Sequence, residues 1–130
     1  MPRKAISAPN GISIGPYSHA VESDNLVYLS GQGGVDPQTG TLVDGGVQAE
    51  ARQTFKNLFA ILAAAGLTPG DVVKVNVYLA NIDDFAAMNA VYATQFDAPY
   101  PARTTIGVAA LPLSARVEIE MIAKKNITEG

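Results

Sequence analysis

One stretch of the chain alternates so regularly that it can form little other than a half-buried strand. From Ala115 to Ala123, the apolar residues Val117, Ile119, Met121 and Ala123 alternate with Arg116, Glu118 and Glu120. That is the period of two expected when one sheet face is buried and the other is polar. Just before it, Pro101 to Val108 reads as a second strand, less regular, with Arg103, Thr105 and Gly107 on one face and Thr104, Ile106 and Val108 on the other. The connector Ala109 to Ser114, carrying Leu-Pro-Leu, suits an antiparallel return. If the two strands pair, an arginine, a hydroxyl and two carboxylates share one face. An arginine opposite a glutamate is ordinarily a partly solvated cross-strand pair worth about 0.2–1 kcal/mol. Spacing alone therefore leaves both a structural pair and a site open.

The rest of the chain supplies partners for these strands. Arg3 to Ser7 reads as a short edge strand, and Ala8 to Pro16 as a loop punctuated by Pro9, Gly11, Gly15 and Pro16. Ser18 to Glu22 and Leu26 to Ser30 read as a hairpin around Ser23-Asp24-Asn25. Gly31-Gln32-Gly33-Gly34 is not a phosphate cradle, because the turn Val35 to Gly40 follows it and not a helix N-terminus. These glycines either let backbone approach a strand or ligand closely, or mark a bulge. Apolar residues from Val47 to Ala65 recur at three- and four-residue steps, predicting an amphipathic helix that Gly66 ends. Val73, Val75, Val77 and Leu79 then alternate with Lys74, Asn76 and Tyr78 as a half-buried strand. A second helix is expected from Asp83 to Phe96, with Phe85, Met88, Tyr92 and Phe96 as a core stripe and Asn89 beside it. Asp97 to Pro101 breaks that helix, and Lys124 to Gly130 reads as a frayed tail.

The order of elements predicts an α+β layer, a mixed β-sheet with two α-helices packed on one face and Lys74, Tyr78, Arg103, Thr105 and Glu118 on the other. At 130 residues and 48% hydrophobic content the chain is expected to be a single domain, residues 1-130, with a real core. Charged residues make up 16%, the net charge is −3 and no run of Lys or Arg exceeds two residues, so no footprint for nucleic acid is present. Low charge with this apolar content favours burial against another copy of the chain, a homo-oligomer. There is no cysteine, and His19 is the only histidine. Thiolate chemistry is excluded, and a zinc site or a Ser-His-Asp triad is disfavoured. Met1-Pro2-Arg3-Lys4 leads into no apolar signal segment and no apolar run reaches membrane length, so a cytoplasmic address without membrane association is expected.

Six motifs stand in register: Ile14-Gly15-Pro16-Tyr17-Ser18, Leu29-Ser30-Gly31-Gln32, Asp36-Pro37-Gln38-Thr39-Gly40, Ala64-Ala65-Gly66-Leu67, Pro101-Ala102-Arg103-Thr104-Thr105 and Val117-Glu118-Ile119-Glu120. Together they resemble the RidA family, also called YjgF, of reactive-intermediate imine deaminases, over nearly the whole chain. The resemblance implies a chorismate-mutase-like fold of the bacterial trimeric type, a homotrimer with three sites between neighbouring subunits. It implies hydrolysis of 2-imino or enamine acids, such as 2-iminopropanoate and 2-iminobutanoate, to 2-oxo acids and ammonia. It assigns Arg103 to the substrate carboxylate and Glu118 to the attacking water. Tyr17, Ser30, Gly31, Asn89 and Thr105 complete the expected pocket. Many members carry cysteine at the position of Thr105 and glutamate at that of Gly107, and the segment between Phe96 and Pro101 is short here.

The residue chemistry agrees with those roles. Arginine presents a planar, permanently charged fork that matches a carboxylate. An imine carbon is already electrophilic, so hydrolysis requires holding it, placing a water and moving a proton from the water toward the departing amine. No metal, cofactor or covalent nucleophile is required. Thr105, without an adjacent base, is a positioning group. Tyr17 either covers the substrate or plugs a subunit seam. Two alternatives remain at this stage. One is a deaminase of a larger substrate such as 2-aminomuconate, for which the small Gly107 and Thr105 side chains leave room. The other is a non-catalytic trimeric module that binds carboxylate metabolites. Relatives have been linked to RNA cleavage, but acidic composition without a basic patch argues against RNA here.

Overall fold

The computed structural model describes residues 3–8 and 15–126. Six strands form one sheet in the order β1-β2-β3-β6-β4-β5, with β1 at Lys4–Ile6, β2 at Ala20–Ser23, β3 at Leu26–Gln32, β4 at Val72–Leu79, β5 at Ala102–Gly107 and β6 at Val117–Lys124. All neighbouring pairs are antiparallel except β4 and β5, which are parallel, so the sheet is mixed. Helix α1 spans Gly46–Ala64 and α2 spans Phe85–Gln95, the latter entered through a 3-10 turn at Ile82–Asp84.

Both helices pack on the same face, and connectivity explains why. Chain passes from β3 through α1 to β4, and from β4 through α2 to β5. Each crossover joins strands of the same sense and moves across the sheet in the same direction. Right-handed crossovers then put both helices on one side. The core lies between: Phe55, Leu58 and Leu62 of α1 and Met88 of α2 against Val75, Val77, Leu79, Val117, Ile119 and Met121, all buried. Gly66 ends α1 at φ 76°, and the N–H of Leu67 donates to the Leu62 carbonyl at 2.9 Å. Only a residue without Cβ takes that left-handed step cheaply.

Three expectations are corrected. The strands containing Arg103 and Glu118 do not pair, because β4 lies between them, parallel to β5 and antiparallel to β6. The connector 109–116 therefore crosses the end of β4 in place of making a hairpin. Val73 is 45% exposed and Val72 takes its place in the core, because a bulge between Val72 and Lys74 inserts an extra residue against β6. Residues 124–126 are held, not frayed: Lys124 ends β6, Lys125 Nζ donates to Glu22 at 2.8 Å, and Asn126 Nδ2 donates to Asp71 at 3.0 Å. The edge strand, the hairpin and both helices form where the sequence pattern places them, while residues 9–14 of the expected loop over 8–16, and with them Ile14 of the first motif, lie outside the described residues.

Candidate active site

The predicted site residues divide between the two faces of the sheet. In the β4–β5 register Arg103 pairs with Val75 and Thr105 with Val77, and both valines are buried under the helices. Arg103 and Thr105 thus belong to the helix side, not to the open face expected for them. Glu118 pairs with Tyr78 and Glu120 with Asn76, on the opposite, open face with Lys74. Period-two alternation fixes faces within a strand, but the intervening β4 decides how two strands relate.

On the helix side, the Arg103 guanidinium sits over the Tyr92 ring at 4.5 Å and the Phe85 ring at 5.5 Å. Phe85, Asn89 and Tyr92 follow at four- and three-residue spacing, so they share one stripe of α2. Three buried atoms in this region have no hydrogen-bond partner: Asn89 Oδ1, Tyr92 OH and Thr105 Oγ1. Arg103 itself has no anionic partner among the described residues. Buried polar atoms in native proteins are nearly always satisfied. Asn89 Oδ1 and Thr105 Oγ1 are thus open to a polar ligand beside an unneutralised guanidinium, whereas Tyr92 meets Arg103 with its ring face. Burial pushes the Tyr92 hydroxyl up, with Arg103 opposing, so the phenol is neutral at physiological pH.

Around the irregular end of β3, a cleft of about 510 Å³ brings Tyr17, Ser30, Gly31, Leu113 and the open-face Glu118 together with Asn57 and Ile61 of α1. Ser30 Oγ donates to the Ser18 carbonyl at 2.6 Å, which ties β3 to the segment before β2. Gly31 has a specific reason to be glycine: a Cβ there would stand 2.6 Å from Glu118 Oε2. The strand pairing also shifts between Leu29 and Gln32, so this glycine serves both close approach and a bulge. Glu118 and Glu120 differ in surroundings. Glu120 accepts from the Tyr78 hydroxyl, and from Asn76 Nδ2 at 3.3 Å. Glu118 has no described donor, and burial first, then the charge of Glu120, raises its pKa. The bond to Glu120 is the main reason the Tyr78 hydroxyl is pushed up to about 12. One carboxylate is therefore committed to the sheet, and the other is free in a cleft with its proton affinity increased.

The sequence reading missed the rings beneath Arg103, because aromatic residues on an amphipathic stripe are core by default. The signal was present in Asn89, whose spacing from Phe85 and Tyr92 puts a polar group on that stripe. A Cβ at Gly107 would lie 3.2 Å from Ile82 Cβ, so Ile82 packs where a side chain at that position would start. Among the described residues no three His, Cys, Asp or Glu side chains gather as a metal site, and no helix is long and apolar enough to cross a membrane.

The fold is shared with solved structures of high similarity. RidA from the Antarctic bacterium Psychrobacter superposes with a TM-score of 0.90 at 46% identity, covering 94% of this chain and 99% of that one. Escherichia coli TdcF with bound serine superposes at 0.89 with 41% identity, covering 95% and 99%. The 2-iminobutanoate/2-iminopropanoate deaminase of Mus musculus is 52% identical over 122 residues, 93% of this chain and 90% of the relative. Residues 6–125 match the family model described as Endoribonuclease L-PSP. The chain belongs to the RidA/YjgF family.

Proposed function

We propose that this protein hydrolyses small 2-imino and enamine acids, 2-iminopropanoate and 2-iminobutanoate among them, to 2-oxo acids and ammonia. The observation that carries the reading is Arg103: a guanidinium held over two rings, without an anionic partner among the described residues, on the sheet face that carries the unpartnered Thr105 Oγ1 and packs against the helix that carries the unpartnered Asn89 Oδ1. A substrate carboxylate completes it. The name of the mouse relative and the serine bound to TdcF support an amino-acid-like ligand. The composition behind a ribonuclease reading is absent, since the net charge is −3.

Because Arg103 and Glu118 lie on opposite faces of one sheet, a site using both takes them from two copies of the chain. We infer a homotrimer of the chorismate-mutase-like type in which the Arg103 patch of one subunit faces the Glu118 cleft of its neighbour. In that site Arg103 holds the carboxylate by paired N–H bonds, with Asn89 and Thr105 fixing the imine end. Glu118 takes a proton from water as the oxygen bonds to the imine carbon. The carboxyl then returns that proton to nitrogen, giving the carbinolamine, and as the carbon–nitrogen bond breaks Glu118 carries the carbinol proton to the departing nitrogen. Ammonia and the 2-oxo acid result, with no change of oxidation state.

The test generates 2-iminobutanoate in situ with an amino-acid oxidase and traps what remains with semicarbazide. The enzyme is expected to abolish most of the trapped adduct at catalytic concentration. Adduct formation unchanged by the protein contradicts the reading.

A further inference from the structure

Phe85 and Tyr92 carry an inference about how the arginine is aimed. We propose that these two rings are a positioning platform that sets the plane of the Arg103 guanidinium and so the affinity for a substrate carboxylate. Arginine has a long side chain with about 2 kcal/mol of rotamer entropy. Unless something fixes it, much of a paired hydrogen bond to a carboxylate is spent ordering it. Here the guanidinium carbon is 4.5 Å from the Tyr92 centroid and 5.5 Å from that of Phe85, within the range where ring faces attract a cation.

The platform is itself braced. Phe55 meets Tyr92 edge-on at 5.7 Å and 72°, and Phe96 packs against it at 5.2 Å. Phe96 in turn is held edge-on by Phe55 and Phe59 at 5.8 Å each. Tyr92 is therefore locked in the core while Arg103 takes one ring face. Phe85, 39% exposed, forms the outer half of the platform. Among the described residues no carboxylate orients the guanidinium, and a neutralising partner there would compete with the substrate. Rings orient the fork and leave its charge and its donors available.

This inference rests on the deaminase reading for the identity of the ligand, so its test measures binding apart from turnover. Calorimetric titration of the intact oligomer with 2-oxobutanoate and with 2-oxobutanamide compares a carboxylate with its neutral amide. Tyr92→Leu, which removes the ring, is expected to weaken carboxylate binding about 5-fold or more and to raise KM by a similar factor with kcat changed less. The affinity for the amide stays as it was. Tyr92→Phe, which restores the ring without the hydroxyl, brings carboxylate affinity back to within about twofold. Phe85→Leu, at a partly exposed position that tolerates substitution, loses about two- to threefold on its own and keeps the proposal testable if Tyr92→Leu does not fold. Equal losses for carboxylate and amide, or a Tyr92→Phe variant as weak as Tyr92→Leu, overturn the platform. Unchanged carboxylate affinity in Phe85→Leu does the same, whether or not Tyr92→Leu folds. A wild type that binds 2-oxobutanoate and shows this variant pattern without turning over imines sinks the deaminase reading and leaves the platform standing.

Discussion

At the scale of single residues, the proposed chemistry rests on two side chains in different electrostatic settings. Arg103 is charged and without an anion, and Glu118 is a carboxyl whose pKa burial and Glu120 raise above the ordinary 4.5. Arg103→Ala is expected to lower kcat/KM by about 100-fold or more, the worth of a charge-assisted bidentate contact, while size-exclusion elution stays unchanged. Full activity in this variant refutes its role. Glu118→Gln removes the proton carrier and is expected to lower kcat by about 10²- to 10⁴-fold. It should also raise stability. A group whose folded pKa is raised favours the fold fully below its unfolded value and loses that contribution as pH rises through the folded value. Glutamine never ionises, so the variant should melt at a higher temperature than wild type at pH 7, the gap closing by pH 4. An advantage independent of pH contradicts this account. Base action requires the ionised carboxylate, so kcat/KM should fall on the acid side with an apparent pKa above 4.5. Much of this was legible in the chain: the Arg-Thr-Thr and Val-Glu-Ile-Glu motifs point to the two residues. Tyr92 was not, since an aromatic residue on a helix stripe carries the same pattern whether it packs only on the core or also under a cation.

At the scale of elements, two glycines, one inside the end of β3 and one just past it, do different jobs. A Cβ at Gly34 would stand 2.6 Å from Glu50 Cα, whereas at Gly31 it meets the mobile end of Glu118. Gly34→Ala must move helix backbone and is expected to cost about 1–3 kcal/mol in denaturant unfolding. Gly31→Ala is expected to displace the carboxylate, lowering kcat with little loss of stability. The reverse pattern would show that these contacts are misassigned. Glu50 is wholly buried and accepts from the Arg116 backbone N–H at 2.7 Å and from Arg116 Nη1 at 2.8 Å. It pins the connector to α1 just ahead of Glu118. Sequence periodicity located nearly every helix and strand, because burial of one face writes its period into the chain. It did not reveal that β4 lies between β5 and β6. Strand order depends on which edges meet across a crossover, and no local pattern records that. The buried Glu50 was equally hidden, since its partner is 66 residues away.

At the scale of the whole molecule, the separation of Arg103 from Glu118 becomes an argument about assembly. Tyr28 and Ile106 are large apolar residues 44% and 46% exposed, and by register Tyr28 pairs with Ile122 and Ile106 with Tyr78, on the open face. That face also presents Glu118. Covering it with a neighbour would bury apolar surface and bring a second subunit to the cleft. Composition points to association, but the sequence points to a shared site only through its family resemblance, because half-sites are written in one chain and their union is not.

The most direct test of the central claim mixes two inactive proteins. Arg103→Ala and Glu118→Gln subunits are co-expressed with different tags, and doubly tagged assemblies are compared with each parent variant. If each site takes Arg103 from one subunit and Glu118 from the next, every mixed trimer regains one intact site in three. With random assembly, about three trimers in four are mixed, so the unfractionated mixture recovers about a quarter of wild-type activity. Mixed trimers as inactive as the parents would show that no site is shared between subunits, and the account would fail.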